Sequence, residues 1–157
     1  MKNMAQTQAT IELIFPSQLG YEKIAREAIG TLARNMGFDP ERVEDLRTAL
    51  SEACINAIEH GNQRQVQRRI HITCTISRNR LVLVISDEGL RFHPSQEIEA
   101  ATIEQKLAGL ASARGMGLML IEQLVDECGF LPSRPGQGNR FRLAMYNPPR
   151  RHGSASA

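Results

Sequence analysis

The sequence predicts an α+β fold, a two-layer α/β sandwich with a mixed, mostly antiparallel sheet and its helices on one face. Three observations predict it. Short alternating or apolar runs at 11–15, 70–77, 81–85, 128–131 and 139–146 read as strands. Two longer segments, 17 to about 36 and 40 to about 60, carry apolar residues at helical spacing. The order strand, helix, helix, strand, strand, long connection, helix, strand, strand sets hairpins beside one another and leaves the helices for one layer.

The run 11–15 ends at Pro16, which suits an edge strand because proline cannot donate to a ladder. Ser17 is placed to cap the first helix. Ile24, Ala28, Leu32 and Met36 form its apolar stripe, and Gly37 stops it. Asp39-Pro40-Glu41 starts the second helix with a capping carboxylate, proline at the first helical position and an acid in the first turn. Gly61-Asn62 ends that helix. Ile70, Ile72, Cys74 and Ile76 alternate as in a half-buried strand, Asn79 turns the chain, and Leu81 to Ile85 suits a central strand. From Asp87 to about Arg114 strand character is lost, a length typical of a functional lid or a disordered piece. Residues 118–125 read as a helix opened by Gly115-Met116-Gly117, and a final hairpin turns around 132–138. Residues 1–9 and 148–157 are expected to be disordered around one domain spanning 10–147.

A chain of 157 residues is long enough for a sizeable core. The net charge of +2 gives no field for nucleic acid or membrane, so neither partner is expected. Arg64, Arg68 and Arg69 cluster locally, as a solvated turn or as a small phosphate patch. Cys54, Cys74 and Cys128 lack metal-ligand spacing, which fits a reduced cytoplasmic setting. No apolar stretch is long enough to span a bilayer, and the N-terminus lacks a signal-peptide pattern.

Chemistry concentrates in three segments. Glu52, Asn56 and His60 recur every four residues on the second helix and lie about 70 to 140° from the centre of its apolar face. A carboxylate, an amide and an imidazole there form either a pocket wall or an ordinary wet helix edge. Asp87 and Gly89 follow the central strand, where open sheets bind ligands. The carboxylate can accept a hydrogen bond from an amino group such as that of adenine, or the pair is a plain turn. Gly89 permits close backbone approach or a positive φ. Gly115 and Gly117, beside Arg114 and Met116, precede Leu118 at a helix start. They form a phosphate cradle or a hinge. Neither a GxxxxGK[ST] loop nor a GxGxxG fingerprint is present.

With these segments in order, the chain resembles the GHKL, or histidine-kinase-like, ATPase superfamily, and within it the anti-sigma-factor serine/threonine kinases of bacterial partner switches. Glu52 to Gly61 looks like the asparagine box, Asp87-Glu-Gly89-Leu-Arg-Phe the first glycine box and Gly115-Met-Gly117-Leu-Met-Leu-Ile the second. Gly138-Asn139-Arg-Phe-Arg-Leu looks like the closing strand motif. The resemblance covers roughly residues 10 to 146.

The resemblance implies a Bergerat-type ATP-binding fold with ATP and Mg²⁺ as cofactors. It implies that Asn56 coordinates Mg²⁺, that Glu52 is the base toward an attacking hydroxyl, and that Asp87 binds the adenine amino group with Gly89 beside it. Residues 93–114 would be the lid, Gly115 and Gly117 would cradle phosphates, and Met116 and Leu118 would belong to the cofactor-binding set. Asn139 would line the base pocket and His60 would close the polar stripe. Arg114, beside the glycines, is a candidate for the terminal phosphates. The expected partners are an anti-sigma-factor antagonist of the STAS type as substrate, a sigma factor, and a second copy of the chain. Arg26 on the first helix is a candidate for the protein-binding face. Arg91 stands where the first glycine box usually has a second glycine, which bears on the path into the lid.

Rival readings differ in what they need. A histidine-kinase catalytic domain needs a phosphoacceptor hairpin, for which the ten or so residues before the first strand leave no room. Gyrase- or MutL-like ATPases need a transducer domain. An ATP-binding regulatory module without kinase activity needs no base, and Glu52 argues against it.

Overall fold

A computed structural model describes residues 8–89 and 113–148. The expected lid and the two expected disordered ends fall almost wholly outside these residues. Strand β1 (Ala9–Pro16) leads to helices α1 (Glu22–Asn35) and α2 (Pro40–Asn56), and α2 continues into a π turn (Ala57–Gly61). Strands β2 (Arg69–Ser77) and β3 (Arg80–Ser86) follow, then helix α3 (Ala113–Leu124) and strands β4 (Glu127–Leu131) and β5 (Arg140–Tyr146). The sheet runs β1-β2-β3-β5-β4. All four pairings are antiparallel, so the mostly antiparallel sheet expected is antiparallel throughout. β1 is an edge strand and β3 the central one, as the positions of Pro16 and the run 81–85 indicate.

Register explains the core. Leu13, Ile72, Ile85, Phe141 and Phe130 stand in one row across the sheet, and Ile11, Cys74, Leu83, Leu143 and Cys128 in the next. Period-two alternation points these rows to one face. There all but the exposed Ile11 join Ile29 and Ala33 of α1, Leu46 and Leu50 of α2 and Ile121 of α3 in one apolar cluster. The helices therefore cover one face of the sheet.

Helix ends follow local chemistry, with corrections to the expected caps. Ser17 does not cap α1, which begins at Glu22; the Glu22 carboxylate instead accepts the Gly20 N–H at 2.6 Å. Gly37 ends α1 at φ +84°, with its N–H donating to Arg34 C=O and the Phe38 N–H to Ala33 C=O, the paired bonds of a Schellman motif. Pro40 opens α2 as expected, but the Asp39 side chain makes no capping bond. Gly30 lies against the Arg47 stem, whose guanidinium pairs with Glu27 and Glu44 and joins α1 to α2. α3 begins at Ala113, so Gly115 and Gly117 lie inside its first turns instead of ahead of it.

A buried ion pair ties α2 to the last hairpin. Arg42 donates to Asp126 at 2.6 Å and to the Tyr146 carbonyl, and Asp126 accepts the Tyr146 N–H at 2.7 Å. The Asp126 side chain is 6% exposed and that of Arg42 19%, so removing Asp126 leaves a partly buried cation and the Tyr146 N–H without their acceptor. Burial and the neighbouring Glu22 carboxylate push the Cys54 thiol far up, and burial pushes Cys74 up to about 12.

Two outcomes follow. Asp126→Ala is expected to lower unfolding stability by about 2–4 kcal/mol in urea titration, and a change below about 0.5 kcal/mol contradicts the pair's role. Iodoacetamide at neutral pH is expected to label Cys54 and Cys74 only as fast as the chain unfolds; labelling at the rate of a free thiol shows that the thiols are accessible.

Candidate functional site

Asp87 leaves the end of β3 with its carboxylate buried. Its Oδ1 accepts the backbone N–H groups of Gly89 and Asn139, each at 2.9 Å, and its Oδ2 accepts the Asn139 side-chain amide at 3.3 Å. The Asp87 N–H donates in turn to Asn139 C=O at 3.1 Å. The sequence motifs around 87 and 139 thus form one unit.

Three glycines make the unit possible. A Cβ on Gly61 would overlap the Asp87 carboxylate. A Cβ on Gly89 would overlap the Gly61 carbonyl, and one on Gly138 the Asp87 carbonyl. None of the three has a positive φ, so space and not torsion requires glycine here. Gly61 reaches Asp87 because α2 ends in a π turn, whose closing bond runs from Asn62 N–H to Ala57 C=O at 2.8 Å. The same turn takes His60 out of the helical phase that Glu52 and Asn56 share.

A small cavity of about 20 Å³ opens beside Asp87, lined by Asn56, Leu118 and Asn139, with Ala53 of α2, Ala57 of the π turn, Ile85, Phe130 and Phe141. Phe130 and Phe141 meet edge to face with centroids 5.0 Å apart. Apolar walls with a few convergent polar groups suit a flat heteroaromatic ligand. His60 is half-buried in the π turn and is not among the lining residues. The Phe130–Phe141 wall, Gly138 and the Gly61 contact are site features that spacing alone did not assign. The apolar alternation of the last hairpin was the available signal for the two rings.

Glu52 and Asn56 meet α3 at Gly117. The point where a Gly117 Cβ would stand is 3.1 Å from Glu52 Oε2 and 3.4 Å from Asn56 Nδ2. The bare face of Gly117 thus lies against both polar groups. Asn56 Nδ2 is buried without a hydrogen-bond partner, so an acceptor is wanting there. Of Arg114, Gly115 and Met116 the structure describes the helical backbone only.

Carboxylate and amide oxygens are the donors that Mg²⁺ takes, and Glu52 and Asn56 supply them side by side. No cluster of three or more His, Cys, Asp or Glu exists among the described residues. These donors fit an ion that draws its remaining ligands from a bound phosphate and water.

Gly61→Ala is expected to cost about 1–3 kcal/mol of stability, because the Asp87 carboxylate must move. Gly129→Ala, whose Cβ meets no atom within 4 Å, is the neutral control. Equal behaviour of the two variants in urea titration contradicts the packing described.

The profile of the histidine kinase-like ATPase domain matches residues 15–145. The serine-protein kinase RsbW of Bacillus subtilis is 33% identical over 134 residues, covering 81% of this chain and 79% of that protein. RsbW of Bacillus licheniformis is 30% identical over 119 residues, covering 74% of each. Among solved structures, the RsbU and RsbW domains of a Mycobacterium tuberculosis protein superpose with a TM-score of 0.60 at 16% identity. That match spans 88% of this chain and 32% of the other, and it bears on the fold alone. The chain belongs to the histidine-kinase-like ATPase family, in the group of the RsbW serine-protein kinases.

Proposed function

We propose that this chain is an anti-sigma factor and a serine/threonine-protein kinase that binds ATP with Mg²⁺. In this reading it phosphorylates a STAS-type anti-sigma-factor antagonist on a hydroxyl side chain and sequesters a sigma factor, as a cytoplasmic homodimer. The observation that carries it is the placing of Glu52 and Asn56 together against Gly117, at the edge of a cavity that ends on the Asp87 carboxylate.

Each residue has a task in that reading. Asp87 accepts the amino group of adenine, and Phe130, Phe141, Ile85 and Leu118 exclude water around the ring. Asn139 holds Asp87 in place and lines the same wall. The α3 N-terminus, with Arg114, Gly115, Met116 and Gly117, faces the phosphates, where free N–H groups and the helix dipole favour an anion. Asn56 would hold Mg²⁺ together with the phosphates, and the ion, when bound, would neutralise phosphate charge. Glu52 takes the proton from the substrate hydroxyl. The hydroxyl oxygen bonds to the γ-phosphorus as the bond from that phosphorus to the β–γ bridging oxygen breaks and ADP leaves.

The RsbW relatives are named serine-protein kinases, and their similarity over about four-fifths of this chain supports the same activity here. Glu52→Ala is expected to bind ADP as the native chain does and to transfer phosphate to the antagonist at least about 100-fold more slowly. The assay is labelled phosphate on the antagonist after incubation with Mg-ATP. Normal transfer by the variant overturns the base assignment. ATP binding without transfer by the native chain leaves a regulatory ATP-binding module.

A further inference from the structure

Asn62 is the most deeply buried polar side chain among the described residues, at 0% exposure, and the chemistry proposed above gives it no task. It stands where the π turn closes. Its Oδ1 accepts the Glu88 N–H at 2.7 Å, and its Nδ2 donates to the Arg69 carbonyl at 3.0 Å. Arg69 opens β2, and its N–H and Nε both donate to the Glu88 carboxylate, at 2.8 and 3.3 Å. One side chain therefore joins the end of α2, the start of β2 and the residue between Asp87 and Gly89.

The chain around Asn62 is shaped to keep it there. Gln63 and Arg64 follow at φ +53° and +57°, a region L side chains seldom adopt, and the Arg64 N–H closes onto Ile58 C=O at 2.9 Å. Two such residues in succession bring the chain sharply back toward β2. The far side of the same joint is equally fixed. The peptide between Asp87 and Glu88 has its N–H in the Asn62 amide, and its carbonyl lies where a Gly138 Cβ would stand. Rotating this peptide breaks the Glu88 N–H bond to Asn62 and takes the Asp87 carbonyl out of the space that Gly138 leaves for it.

We infer that Asn62 is a positioning residue for base recognition. By holding the Asp87–Glu88 peptide it sets where the Asp87 carboxylate points, and so sets preference for a purine that carries an exocyclic amino group. The inference rests on the reading of Asp87 as the adenine acceptor. Asn62 touches no nucleotide in it; it acts only through Asp87. A plain helix-end role for Asn62 would alter stability and leave base preference untouched.

The test compares equilibrium binding of ADP and of purine riboside diphosphate, which lacks the 6-amino group, to the full chain. The native chain prefers ADP. Asn62→Ala is expected to lose about tenfold of that preference, the worth of one net hydrogen bond, by weaker ADP binding with analogue binding unchanged. Asn62→Asp keeps an acceptor for the Glu88 N–H and loses the donor to Arg69; it is expected to keep the preference. Preference that persists in a folded Asn62→Ala, or equal weakening of both ligands, overturns the inference. If Asn62→Ala does not fold, Asn62→Asp decides: retained preference supports the inference and lost preference overturns it. A native chain without preference for ADP overturns the reading of Asp87 itself, and the inference with it.

Discussion

A buried carboxylate is tolerated only where donors surround it, and Asp87 draws its donors from backbone as well as side chain: the N–H groups of Gly89 and Asn139 and the Asn139 amide. Backbone donors must come close, and side chains stand in the way. Gly61, Gly89 and Gly138 remove that obstacle at the three places where the end of α2, the exit of β3 and the entry of β5 converge. The cavity exists because these three pieces meet around one charge, and its apolar walls are the ordinary core residues of β3, β5 and α2 continued to the sheet's end.

The helix layer obeys a similar rule of close approach. Ala53 on α2, Ala57 in its π turn and Gly117 on α3 are small where the two helices meet, so Glu52 and Asn56 lie against bare backbone instead of a side chain. Larger residues would have filled the space beside both polar groups. The Arg42–Asp126 pair fixes the other end of α2 to the last hairpin, so the helix that carries Glu52 and Asn56 is anchored at both ends.

Much of this was legible in the sequence because it depends on local chemistry. Gly37 and Pro40 marked helix ends, period-two alternation marked the strands, and an acid before glycine at a strand end marked Asp87. What was not legible depends on contacts between distant segments. The π turn has no local signature, so the spacing Glu52, Asn56, His60 read as one uniform stripe when only its first two members share a phase. Ser17 looked like a cap because the reach of Glu22 back to Gly20 N–H is set by packing. Asn62 looked like part of a helix stop with Gly61. Its bond to Glu88 joins residues 26 apart.

The strand order has a consequence for how the molecule assembles. β3 and β5 are neighbours in the sheet, and the contacts that complete the cavity join Asp87 to Asn139 across 52 residues of chain. Closing so long a loop is slow relative to forming α1 and α2 or the β2–β3 hairpin, whose partners lie close in sequence. The cavity is therefore among the last parts to take shape, after both halves of the chain have met. A ligand held in it binds only the finished fold, and its binding energy is linked to unfolding of the whole chain and not to the fraying of one part.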